Sequence, residues 1–130
     1  MNNVNSLDKT KTIKPILKGY MYSVLITCVF LFIYATILVN TDIGENTITP
    51  VVIIITAISI LIGSSISCLK IKKNGIVNGL CIGAFYFITL YILSSITVTG
   101  FGINLKAIIM ILTGTALGGI GGIIGVNVGK

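Results

Sequence analysis

The sequence predicts an all-α membrane protein, with four transmembrane helices in a compact bundle and both termini cytoplasmic. Three observations predict it. First, the 130 residues are 55% hydrophobic and only 9% charged, whereas a soluble domain carries about 25% charged residues and needs them on its exterior. Second, 23 uncharged residues lie between Lys18 and Asp42, 24 between Glu45 and Lys70, 32 between Lys73 and Lys106, and 23 between Lys106 and Lys130. A helix crosses about 30 Å of hydrocarbon in ~20 residues, so each stretch holds one span and none holds two. Third, threading four spans puts nearly all the lysines on one side.

Residues 1–14 are expected to form a disordered basic cytoplasmic tail, polar and rich in asparagine at its start. Residues 15–130 are expected to form the transmembrane domain. The first span is placed at about 17–39, with Pro15 in its first turn, where a missing N–H costs nothing. Its apolar part is too long for a signal peptide, and no small-residue cleavage site follows it. The second span, about 50–69, starts at a Thr49 cap followed by Pro50. The third covers about 75–98 and the fourth about 105–126. Isoleucine and valine dominate them, which in water would suggest strands. In lipid only a helix or a closed barrel satisfies the backbone, and barrel strands would alternate polar and apolar residues, as these do not.

Lys9, Lys11, Lys14 and Lys18 precede the first span, Lys70, Lys72 and Lys73 follow the second, and Lys130 ends the sequence. The other side holds Asp42, Glu45 and Lys106, a lysine at a helix edge where it can snorkel. This asymmetry follows the positive-inside rule and predicts cytoplasmic termini, with residues 40–49 and the turn at 99–104 facing outward. Tyr20, Tyr22 and Phe101 are placed in the interfacial aromatic belts. The net charge of +6 comes entirely from lysine. Without an arginine or aromatic reading surface it does not indicate a nucleic-acid partner.

Small residues recur every fourth position. Gly75, Gly79 and Gly83 do so in the third span, Gly114, Gly118 and Gly122 in the fourth, with Gly121, Gly125 and Gly129 as a second register there. Ser59, Gly63 and Ser67 repeat the spacing in the second. Such rows form grooves that let another backbone approach closely, a main source of helix association in lipid. Gly63, Gly75, Gly79, Gly83, Gly114, Gly118, Gly122 and Gly125 are therefore the candidate helix-packing residues. Intrachain packing is the first expectation, and an oligomer interface through the second register is the other. The helices are expected to converge in the inner half and to be held apart in the outer half by Phe30, Phe32, Tyr34, Tyr91 and bulky aliphatics. ILIGSS at 60–65 and ILTGTA at 111–116 hint at a tandem pair of hairpins.

No aspartate, glutamate or lysine lies inside a span, and intramembrane ionisable groups are the usual mark of transport or proton coupling. Exporters that depend on a membrane-embedded glutamate are thereby disfavoured. The chain lacks histidine. Cys28, Cys68 and Cys81 have no zinc-ligand spacing and are expected to be small packing residues. Ser64, Ser65 and Ser67 lack a base to activate them and are expected to bond carbonyls of their own helix. Asp42 and Glu45 are expected to be solvated, and Asn127 to cap the fourth helix or bond a neighbour. No catalytic residue, metal or cofactor is expected.

The stretches ILKGYMYS at 16–23, LKIKKNGIVNGLCIGAFYF at 69–87 and GGIGGIIGVNVGK at 118–130 resemble the YrzE-like family of small four-span membrane proteins from low-GC Gram-positive bacteria. The similarity extends over about residues 16–130. It implies fold and membrane location, and it supplies no activity. The small-residue rows and the absent site chemistry point to a non-enzymatic component of a bacterial cytoplasmic membrane that contacts the lipid bilayer and other membrane proteins or itself through its glycine-rich faces. The alternatives are a small channel or holin-like permeability factor, or a transporter subunit needing a partner.

Overall fold

The computed structural model describes residues 2–96, 102 and 104–130. Four helices make up the fold: α1 (Asn2–Asn40), α2 (Ile48–Ile71), α3 (Gly75–Ser94) and α4 (Leu105–Val128). A single 3-10 turn, Glu45–Thr47, leads into α2. All four helices are long and apolar enough to span a membrane, so the chain is a multi-pass membrane protein. The end of the expected third span at 97–98, most of the outward turn and Phe101 lie outside the described residues.

Two boundaries differ from expectation. Helix α1 runs back to Asn2, through the segment expected as a tail, because no helix-stopping residue precedes Pro15 and the helix passes through that proline. The Pro15 carbonyl also accepts a bond from Ser67 Oγ of α2 at 2.6 Å. Helix α2 starts at Ile48, two residues before Pro50. The proline then falls third in the helix, still inside the first turn where backbone N–H groups have no intrahelical acceptor.

The contacts of the glycines fix the helix directions. Gly75, Gly79 and Gly83 lie against Gly122, Gly118 and Gly114 in turn, so α3 and α4 are antiparallel. Gly121 meets Leu61 and Ser64, Gly125 meets Ser65 and Cys68, and Gly129 meets Leu69, so α2 and α4 run in the same direction. Gly19 and Gly63 face each other across α1 and α2, with Ser67 and Ser23 filling the space beside them. Helix α4 therefore packs on both α2 and α3, and α1 packs chiefly on α2.

Three residues, 72–74, connect α2 to α3. Lys72 and Asn74 both take left-handed backbone (φ 56° and 48°), which turns the chain back within that length. The Lys72 N–H donates to the Cys68 carbonyl, and Asn78 Nδ2 donates to the Lys73 carbonyl. The Cys68 thiol reaches the Gly75 carbonyl at 3.6 Å. Pro15, Ser67, Gly75 and Gly129 thus share one end of the bundle. Lys14 and Lys18, the 70–73 lysines and Lys130 sit in sequence beside them.

The core is small and partly polar. Ile60, Cys68, Ile82 and Tyr86 are its buried apolar members, and Ser23, Ser59, Ser64, Ser67 and Thr27 are buried with them. Leucine, isoleucine and phenylalanine instead populate the outer surface. That inversion suits lipid, where burying an alkyl side chain gains nothing over leaving it among acyl chains.

Candidate functional site

The most constructed feature of the molecule is the α3–α4 seam. At its glycine end the two backbones touch. A methyl group on Gly83 would lie 2.6 Å from the Gly114 carbonyl oxygen, and one on Gly118 would lie 2.9 Å from the Gly83 Cα. A methyl on Gly79 would run into the Gly118 carbonyl itself. No side chain larger than hydrogen fits at these positions.

Each helix-packing candidate lies against a neighbouring helix, in three separate contacts. Gly75, Gly79 and Gly83 pair with Gly122, Gly118 and Gly114, Gly63 faces α1, and Gly125 faces α2. The second register of α4, considered as an oligomer face, is covered by α2 within the same chain. Both glycine rows of α4 are therefore used inside the bundle.

Hydroxyls bond the helices beside the glycines. Ser65 Oγ donates across to the Gly121 carbonyl at 2.9 Å, and Ser67 Oγ donates to that of Pro15. These two serines, expected to bond their own helix, instead bridge to neighbours because small residues bring foreign carbonyls within reach. Ser64 Oγ does bond its own helix, at the Leu61 carbonyl. On α1, Ser23 Oγ donates to the Gly19 carbonyl and Thr27 Oγ1 to that of Ser23. The Thr27 proton is then committed, so the 2.7 Å contact with Tyr86 has the tyrosine as donor. Tyr20, expected only as a belt residue, donates to Thr89 of α3 at 2.9 Å. Asn127 is exposed.

The same stripe of α3 continues past Gly83 at Phe87, Tyr91 and Ser95. Opposite it, α4 continues past Gly114 at Met110 and Lys106. Here the helices part. The Phe87 ring occupies the space that a Gly114 side chain would fill, and its edge meets the neighbouring Tyr86 ring at 5.9 Å and 66°. Beyond this wedge a cavity of about 370 Å³ opens between the end of α3 and the start of α4. Tyr91 and Ser95 line it, and the hydroxyl of each is buried without a hydrogen-bond partner among the described residues.

Phe87 is thus a spacer between α3 and α4 at the end of the glycine rows. Phe30 and Phe32, expected in that role, point outward from α1 and are exposed. Phe87 and Ser95 were not singled out by sequence. The signal available was the four-residue spacing, which continues unbroken after the glycines stop.

Among the described residues, no group of three or more histidine, cysteine, aspartate or glutamate side chains could hold a metal. A family described as a protein of unknown function (DUF3792) has a model that matches residues 12–125. No curated protein and no solved structure matches the chain.

Proposed function

We propose, from the premise that the chain belongs to the DUF3792 family of proteins of unknown function, that it is a non-enzymatic component of the bacterial cytoplasmic membrane. In this reading the glycine faces assemble the bundle itself, and α1 meets other membrane proteins or a second copy. One observation carries it. The glycine rows are spent within the chain, while most of α1 from Val29 onward, including Phe32, Ile33, Ile37 and Val39, is uncovered by the other helices. The hydroxyls buried beside the seam are occupied by carbonyls, which leaves them structural work.

The lysine-rich end of the bundle supports cytoplasmic termini by the positive-inside rule. The YrzE-like resemblance and a low-GC Gram-positive source belong to the same reading. Backbone contact along the glycine seam leaves no lumen there, which weighs against a permeability factor.

The test is affinity purification of the tagged protein from its own membranes in mild detergent, with mass spectrometry of what accompanies it. The expected result is one stoichiometric companion, or a second copy that Cys28 on exposed α1 links by disulfide under mild oxidation. Recovery of the bare monomer would count against the reading. Dye leakage from liposomes at low protein loading would promote the permeability alternative.

A further inference from the structure

A groove of about 490 Å³ lies between α1 and α3, towards the lysine-rich end. Its α1 wall is Ile13, Leu17 and Tyr20, and its α3 wall is Cys81, Phe85 and Thr89. Ile13, Leu17 and Phe85 are each more than half exposed, so the groove is open to lipid along its side. Helix α1 opposes α2, α2 follows α4, and α4 opposes α3, so the two walls run in the same direction. Tyr20 and Thr89 are the lining residues furthest along each helix from the lysine-rich end. Their 2.9 Å hydrogen bond bars the groove there. Thr89 Oγ1 gives its own proton to the Phe85 carbonyl, so this pair needs no further partner.

The other end is open and basic. Lys9 stands four residues before Ile13, on the same stripe of α1 as Leu17 and Tyr20 and one turn beyond the groove. It is exposed, as are Lys14 and Lys73 at this end of the bundle. Residues 1–18 hold four lysines against one acid, Asp8, and the 70–73 segment adds three lysines and no acid. An occupant must therefore be apolar along Leu17 and Phe85 and anionic at Lys9. At 1.5 Å per residue each wall is roughly 10–12 Å long, about a third of what a spanning helix would cover. A second copy inserted the same way would also bring its own lysines to this level, and like charges oppose that contact. An acyl chain below an acidic head group meets both demands.

We infer that the α1–α3 groove is a binding site for an anionic glycerophospholipid of the adjoining leaflet. The first part of one acyl chain lies along Leu17, Cys81 and Phe85, and the Tyr20–Thr89 bond turns the rest out into the bilayer. The phosphate meets Lys9, as basic segments at a membrane surface meet acidic lipid. The site leaves α1 from Val29 onward free, so it stands apart from the surface proposed above for a companion protein.

The test is photo-crosslinking of the full chain in phosphatidylcholine liposomes, followed by peptide mapping. The probe is a trace of phosphatidylglycerol or of phosphatidylcholine, each carrying the same diazirine-bearing acyl chain. The phosphatidylglycerol probe is expected to label residues 13–20 and 81–89 about fivefold more than the other, the worth of one lysine near the surface. No such preference is expected on α1 beyond Val29. Lys9→Gln should remove most of the preference, and Lys11→Gln, on the opposite face of α1, should leave it in place. Cys81→Phe fills the groove and should lower labelling there by both probes. Labelling of α1 beyond Val29 should stay unchanged in every variant, which separates loss of the site from loss of the fold. Equal labelling of the groove by the two probes would overturn the anionic head, and an equal loss in Lys11→Gln would overturn its placement at Lys9. Labelling spread evenly over all lipid-facing helices would overturn the site. Disulfide-linked dimers mapped to Cys81 would give the groove to a second copy and overturn the lipid.

Discussion

One stripe of α3 does opposite things in its two halves. At Gly75, Gly79 and Gly83 it lets α4 approach until backbone meets backbone. At Phe87, Tyr91 and Ser95, at the same four-residue spacing, it holds α4 off and encloses a cavity. The helix is continuous through the change. The separation of two helices in lipid is thus set residue by residue through side-chain size, because no hydrophobic force between them overrides local fit.

The hardest way to break this contrast is to make the closed half resemble the open one. Gly79→Leu puts a side chain into the Gly118 carbonyl, which cannot move without its helix. A loss of about 3 kcal/mol or more is expected, at or beyond the upper range for overpacking. It should appear as failure to recover a folded, monodisperse protein in detergent. Removing the wedge comes next. Phe87→Ala deletes the ring that separates the halves, and truncating this half-buried phenylalanine is expected to cost about 1–3 kcal/mol, below the range for a fully buried one in water. The low end is expected because the site already borders a cavity, and a melt followed by circular dichroism would read it. The smallest effect sharpens the contrast most. Tyr91→Phe removes a hydroxyl that has no partner among the described residues, so stability should hold or rise by up to about 1 kcal/mol. A clear loss in the same melt would mean that the hydroxyl has a protein partner.

Much of this was legible in the sequence, and the physical reason is specific. The gaps between lysines and acids located the four spans, because a charge inside hydrocarbon is costly wherever it falls. The glycine rows were visible because small residues every fourth position leave a groove whatever lies opposite. What lies opposite was not visible. Gly118 and Gly125 carry the same spacing signal, yet one meets α3 and the other α2. Ser65 and Ser67 looked like residues that bond their own helix, and only the closeness of α4 and α1 redirected them. Phe87 and Ser95 were missed because the row was read by residue size and not by register. The backward extension of α1 and the earlier start of α2 are boundary differences, where Pro15 and Pro50 each proved compatible with more helix than expected.

Helix α4 carries both glycine rows, one for α2 and one for α3. It is also the last of the four in chain order. During synthesis the earlier helices enter the bilayer with their grooves open to lipid, and none of them can substitute for the missing strip. Neither glycine row of α4 can therefore close before that helix has been made and inserted, whereas the α1–α2 contact at Gly19 and Gly63 needs no part of it. Acyl chains must leave both grooves as α4 docks, so displacing lipid is part of forming these two contacts.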